Sequence, residues 1–133
     1  MKLILYTDGG ARGNPGPAGA GAHLLDNEGN TVAELTQYLG ETTNNQAEYR
    51  ALLLALKKAQ ELGATEIEVR ADSELMVRQL NGQYKVKNEA LIPVYQEAKK
   101  YLLGFAKWTI KHIPREQNKQ ADLLANKAID ERV

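Results

Sequence analysis

Four carboxylates fall where the chain changes from one kind of element to another. They are Asp8 in Tyr6-Thr7-Asp8-Gly9-Gly10, Glu48 in Thr43-Asn44-Asn45-Gln46-Ala47-Glu48, Asp72 in Arg70-Ala71-Asp72-Ser73, and Asp122 in Asn118-Lys119-Gln120-Ala121-Asp122. Singly, each has an ordinary explanation: an Asp at a strand end forms turns, and an acid in the first turn of a helix meets the helix dipole. Together they could do chemistry. Carboxylates crowded within about 4 to 6 Å repel, so a shared pocket is reasonable where divalent cations offset the charge. The chain has no cysteine, which removes thiolate zinc sites and disulfides and leaves oxygen or imidazole as ligands. Carboxylate and water ligands select hard ions, Mg²⁺ or Mn²⁺. Two such ions about 3.5 to 4 Å apart activate a water and stabilise a leaving oxygen, as phosphodiester hydrolysis requires.

The elements that must position these side chains are legible in the hydrophobic spacing. Lys2 to Asp8 reads as a central strand with both faces apolar, followed by a Gly- and Pro-rich loop from Gly9 to Gly16. Ala18 to Asp26 and Thr31 to Leu39 read as two further strands joined by Asn27-Glu28-Gly29-Asn30, so the first three strands form an antiparallel meander. From Asn44 to Leu62, Ala47, Ala51, Leu52, Ala55, Leu56, Ala59 and Leu62 recur at helical spacing, and Gly63 stops the helix. Glu66 to Ala71 is a strand, and Ser73 to Leu80 a short helix capped by Ser73. Asn81 to Lys87 is a loop and Asn88 to Leu103 a helix with Pro93 near its start. Trp108 to Ile113 is the last strand, Pro114 to Gln117 a loop, and Asn118 to Glu131 a final helix. Helical crossovers make the fourth and fifth strands parallel to the first. Ligands of such α/β sheets collect beyond the carboxyl ends of the parallel strands, which is where Asp8 and Asp72 stand.

The length, 133 residues, fits one domain with one core, and 43% apolar with 26% charged residues is a globular composition. No apolar run spans a bilayer and a carboxylate comes too early for a signal peptide, so a cytoplasmic protein is expected. Lys plus Arg and Asp plus Glu both number 17, so bulk charge carries no nucleic-acid signal. A local basic face is still available from Lys57, Lys58, Lys85, Lys87, Lys99, Lys100, Lys107, Lys111, Arg115 and Lys119. Of the two histidines, His23 falls mid-strand and His112 in or beside the last strand; both read as structural.

As a set, Thr7-Asp8-Gly9, Thr43-Asn44-Asn45-Gln46-Ala47-Glu48, Ala71-Asp72-Ser73 and Asn118 with Ala121-Asp122-Leu123-Leu124-Ala125 resemble the four acidic motifs of the type 1 ribonuclease H family. The likeness holds in order and spacing over nearly the whole chain. It implies a single domain over residues 1–133, an α/β fold with a five-stranded mixed sheet of strand order 3-2-1-4-5, and helices on both faces. It also implies an endonuclease that cuts the RNA strand of RNA–DNA hybrids with two Mg²⁺ ions, Mn²⁺ substituting, and leaves 5′-phosphate and 3′-hydroxyl ends. In that reading Asp8 bridges both ions, Asp122 joins it at the ion that activates water, and Glu48 and Asp72 hold the other. Asn14, Asn44 and Asn45 fall at positions that meet the minor groove of the hybrid, and Thr43 at a DNA phosphate. Amides can donate to and accept from a 2′-hydroxyl, and the same residues also suit turn formation and helix capping.

Two departures from the family pattern stand out. The basic, tryptophan-bearing helix of many relatives is reduced here to Gln83 to Asn88 with Lys85 and Lys87, which implies hybrid affinity that is weak and salt-dependent. The loop histidine before the last Asp gives way to Ile113-Pro114-Arg115-Glu116-Gln117-Asn118, which leaves Arg115 or Glu116 as a substitute. A monomer with no obligatory protein partner is expected. The rival readings are a related nuclease acting on double-stranded RNA or in transposition, a non-catalytic hybrid-binding module, and an actin-like ATPase or sugar kinase. The length leaves no room for the appendages of a transposase or the second domain of a kinase, and no P-loop run is present.

Overall fold

A computed structural model describes residues 1–133. The chain runs β1 (Lys2–Ala11), β2 (Gly16–Asp26), β3 (Thr31–Thr42), α1 (Asn44–Glu61), β4 (Glu66–Ala71), α2 (Glu74–Leu80), α3 (Ile92–Leu103), β5 (Lys107–His112), a 3₁₀ turn (Arg115–Gln117) and α4 (Lys119–Glu131). The five strands form one sheet in the order β3-β2-β1-β4-β5, with β1 antiparallel to β2, β2 antiparallel to β3, and β4 and β5 parallel to β1. This is the expected mixed sheet. No helix is long and apolar enough to cross a membrane.

Alternation along β1 and β2 assigns a helix to each face of the sheet. Leu3, Leu5, Ala22 and Leu24 turn to the side of α1, where they join Leu52, Leu56 and Ala59 in the main core, and α3 adds Ala98 and Leu102 beyond. Gly9 lies on that side too: a Cβ there would stand 2.1 Å from the Ala47 carbonyl oxygen of α1. Gly19 and Gly21 face the other way, and a Cβ on Gly21 would stand 2.4 Å from the Ala121 carbonyl oxygen and 2.5 Å from the Ala125 nitrogen of α4. Asp8 pairs with Gly21 across the ladder, and directly opposed residues share a face, so Asp8 lies on the α4 side. The missing side chain of Gly21 thus sets how closely α4, with Asp122 in its first turn, approaches the sheet. Gly21→Ala is expected to overpack this contact and lower stability by about 3 kcal/mol, read as a lowered urea midpoint at unchanged m-value.

Several boundaries differ from the sequence expectation. β1 continues to Ala11, so the expected Gly9 to Gly16 loop shrinks to residues 12–15: Gly9, Gly10 and Ala11 pair with Ala20, Gly19 and Ala18. Glycine reads as a loop former, yet here the tight approach of α1 requires one inside the strand. β2 starts at Gly16 and β3 runs to Thr42, with Gly16 paired to Thr42 at the end of the ladder. α3 begins at Ile92 and not Asn88, because the Asn88 carboxamide oxygen accepts the Ala90 N–H in a local turn that competes with helix. β5 occupies Lys107–His112, one residue earlier than expected, and the loop after Pro114 tightens into the 3₁₀ turn.

Candidate active site

Asp8, Glu48, Asp72 and Asp122, separated by up to 114 positions in sequence, line one cleft of about 390 Å³ at the carboxyl end of β4. β1 delivers Asp8 and β4 delivers Asp72 just past its last residue, on adjacent parallel strands. α1 brings Glu48 over the sheet edge from its first turns, where Thr43 caps the helix by accepting the Gln46 N–H. α4 brings Asp122 from the opposite face.

Crowding and burial show in the proton affinities. Asp8 is pushed up to about 8, first by burial, then by the charge of Asp72, and further by a hydrogen bond with Asp122 and the charges of Asp122 and Glu48. Glu48 is pushed up to about 7, mainly by burial; the Ser73 hydroxyl pulls it down and Asp72 raises it again. Its Oε2 is buried with no partner in the protein. A buried, unpartnered acceptor among like charges is a configuration that a divalent cation relieves, and oxygen donors suit a hard ion. The donor set therefore fits Mg²⁺ or Mn²⁺. No three acidic or histidine side chains close around one point tightly enough to hold an ion alone, so waters and substrate oxygens would complete each shell, as Mg²⁺ commonly requires.

Asn118 supports the cluster from below. It is 1% exposed, and its Nδ2 donates both to the Thr7 carbonyl (2.8 Å) and to Asp72 Oδ2 (3.2 Å), while its own carbonyl accepts the Asp122 N–H. One side chain so ties together the elements that carry three of the four acids. Asn118→Ala leaves the Thr7 carbonyl unpaired and Asp72 without its donor. The expected result is a loss of about 2 kcal/mol in urea unfolding together with weaker Mn²⁺ binding in calorimetry.

The residues expected from sequence to meet substrate divide. Asn14 and Asn44 are brought together: Asn14 Oδ1 accepts the Asn44 N–H (3.1 Å), and Asn44 Oδ1 accepts the Ala11 N–H (2.8 Å). Both amides therefore play the capping and turn-fixing role with their oxygens, while each Nδ2 makes no hydrogen bond within the chain. Asn44 lines the acidic cleft; Thr43 instead lines a neighbouring cleft with Thr42, Gln46, Arg50 and Asn88. Asn14 and Asn45 line neither. Of the loop residues, Arg115 lines the acidic cleft and Glu116 does not. His112 ends β5 exposed, opposite Ala71, and outside the cleft. His23 lies outside the cleft, its Nε2 2.8 Å from Thr31 Oγ1.

Sequence reasoning missed Arg12, Asn126 and Asp130. Arg12 and Asn126 line the cleft, and Arg12 reaches across it to Asp130 and Asn126 on α4. The available signal was the spacing of Asp122, Asn126 and Asp130, which puts all three on one helical face.

A family model described as reverse transcriptase-like matches residues 6–128. The chain is 45% identical over 130 residues to ribonuclease HI of Halobacterium salinarum, a match covering 98% of this chain and 65% of that protein. It covers 36% of the bifunctional protein of Mycobacterium tuberculosis to which it is 46% identical, so it spans about a third to two-thirds of the length of these relatives. Among solved structures, RNase H1 of Halobacterium salinarum superposes with a TM-score of 0.96 at 44% identity, covering 98% of this chain and 99% of that one. LC11-RNase H1, solved in complex with an RNA/DNA hybrid, gives a TM-score of 0.93 at 49% identity, with 98% of each chain covered. Four acidic motifs on one cleft, the 3-2-1-4-5 sheet and near-complete superposition agree, and the chain belongs to the type 1 ribonuclease H family.

Proposed function

We propose that this chain hydrolyses the RNA strand of RNA–DNA hybrids as an endonuclease, leaving 5′-phosphate and 3′-hydroxyl ends, with Mg²⁺ as its natural ion and Mn²⁺ able to replace it. The observation that carries the reading is the convergence of Asp8, Glu48, Asp72 and Asp122 on one cleft, with Glu48 Oε2 buried and unpartnered. The relative solved with a hybrid adds support for the substrate.

In this reading Asp8 and Asp122 would contribute oxygens to one ion, and Asp8, Glu48 and Asp72 to a second, with waters and substrate oxygens completing both. Bound there, the ions supply a water of lowered pKa and positive charge at the leaving oxygen. The protein's own part is to hold acceptors in place against their repulsion. Asn118 fixes Asp72 to the end of β1 and Ser73 orients Glu48. The free Nδ2 groups of Asn14 and Asn44, with Asn45 beside them, face RNA 2′-hydroxyls, a contact DNA cannot make. Thr43 spends its hydroxyl oxygen on the Gln46 N–H, so its proton is available to a DNA phosphate in the neighbouring cleft. The protein acts as a monomer.

The test is digestion of end-labelled RNA–DNA, RNA–RNA and DNA–DNA duplexes in Mg²⁺ and then Mn²⁺. Cleavage confined to the RNA strand of the hybrid, with ligatable 5′-phosphates on the fragments, supports the reading; equal cutting of duplex RNA, or no cutting of any duplex, overturns it. Within that assay Arg115→Ala is expected to slow turnover about tenfold while Glu116→Ala leaves it near wild type, because only Arg115 lines the cleft. Steady-state rates of the two variants decide this.

A further inference from the structure

Around the acidic cleft only two cations take part in the lining, Arg115 and Arg12. Arg12 is held from both ends. Its backbone N–H donates to the Pro17 carbonyl (2.8 Å), fixing it at the mouth of the β1–β2 connection. Its guanidinium crosses to α4, where Nη1 donates to Asp130 Oδ1 and Nη2 to Asn126 Oδ1 (3.2 Å). Asn126 continues the chain of contacts, its Nδ2 donating to the Asp122 carbonyl (3.0 Å) and, at 3.4 Å, to Asp122 Oδ1. The guanidinium thus uses two of its five N–H donors on one edge, and the side chain stays 49% exposed. A planar fork with unspent donors, anchored beside four carboxylates but paired to none of them, has the geometry that recognises phosphate oxygens. Arg12 also stands two residues before Asn14, the amide assigned above to the RNA 2′-hydroxyls.

We propose that Arg12 binds a backbone phosphate of the RNA strand next to the scissile bond and that Asp130 and Asn126 hold it ready there. The proposal rests on the hybrid-cleaving reading given above and adds a second cation, beside Arg115, that draws the strand towards the four acids. It also couples substrate to site, because the same Asn126 that orients Arg12 touches Asp122.

The test measures hybrid binding in Mg²⁺ by the Asp8→Asn protein, with and without Arg12→Ala and Arg12→Lys, from 50 to 300 mM KCl. Loss of one phosphate contact is expected to weaken binding about tenfold at low salt and to reduce the slope of log K against log salt by about one. Arg12→Lys keeps the charge and is expected to keep the slope while losing part of the affinity. Unchanged affinity and slope in Arg12→Ala overturn the proposal. Weaker binding at an unchanged slope also overturns it, since that marks loop placement without phosphate contact. The ion pair is exposed, so the melting temperature of Arg12→Ala is expected within about 3 °C of its parent; a larger drop makes Arg12→Lys the deciding comparison. Absence of hybrid binding by the protein with Arg12 intact overturns the functional reading, and this inference with it.

Discussion

Asp8→Asn is expected to remove hybrid cleavage by at least about a thousandfold, roughly 4 kcal/mol of transition-state stabilisation, while making the metal-free protein more stable at pH 8. Both effects have one cause. Asp8 lies at the centre of the acidic cluster, with Asp72, Asp122 and Glu48 all acting on it. An amide of the same shape removes a cation ligand and also removes the charge that burial and these neighbours resist. Function and stability therefore move in opposite directions, as expected where a site is held against its own repulsion. Single-turnover cleavage of a labelled hybrid measures the first effect and thermal melting in EDTA the second. Residual turnover within tenfold of wild type would remove Asp8 from the centre of the chemistry, whatever the melting curve showed.

Without metal, stability is expected to fall as pH rises from 5 to 8, and Mg²⁺ is expected to restore it. The sign follows from the direction of the shifts. Asp8 and Glu48 hold protons in the folded protein up to about 8 and about 7, against ordinary values of 3.8 and 4.5 in the unfolded chain. Between those limits the folded state binds more protons than the unfolded one, so stability decreases with pH across the interval. For a carboxyl shifted this far the loss is on the order of 4 kcal/mol, shared among the coupled acids. That corresponds to a fall of about 10 °C in melting temperature for a chain of this size. Below about pH 4 the trend reverses. Asp130, held down by Arg12, and Asp26, held down by the Asn30 N–H, contribute stability that is present above the ordinary carboxylate range and lost as they take up protons. Mg²⁺ at a hundred times its dissociation constant adds about 2.7 kcal/mol, most visibly at pH 8, where the acids are easiest to deprotonate. Calorimetric melting from pH 5 to 8, with and without Mg²⁺ and in Asp8→Asn, checks all three parts. A flat EDTA profile in the native protein would mean that the four carboxylates do not crowd one another in solution.

Much of this site could be read from residue order. The strands and helices that carry Asp8, Glu48, Asp72 and Asp122 announce themselves through local spacing: alternation in Lys2 to Asp8 and Glu66 to Ala71, three-and-four recurrence from Asn44 and from Asn118, and the cap at Ser73. Such signals depend on near neighbours, which the sequence lists directly. The glycines resisted that approach. Gly9 and Gly10 look like loop residues by propensity, but both pair inside β1, and Gly9 must be glycine there because the Ala47 backbone of α1, distant in sequence, presses on it. Asn88 misled in the opposite sense, since its own side chain holds a turn that delays the start of α3 to Ile92.

Residue order alone carries the inventory and the frame: four acids at element ends, no thiols, and a βαβ order that brings β4 and β5 parallel to β1. Which side chains meet was set only on folding. Folding brought Asn118 beneath Asp72, left Glu48 Oε2 buried without a partner, turned Arg115 rather than Glu116 or His112 into the cleft, and laid Arg12 across to Asp130 and Asn126. The physical reason is range. Backbone propensity and periodicity act over a few residues, whereas burial, like-charge repulsion and side-chain hydrogen bonds depend on distances that exist only after the sheet has closed between α1 and α4.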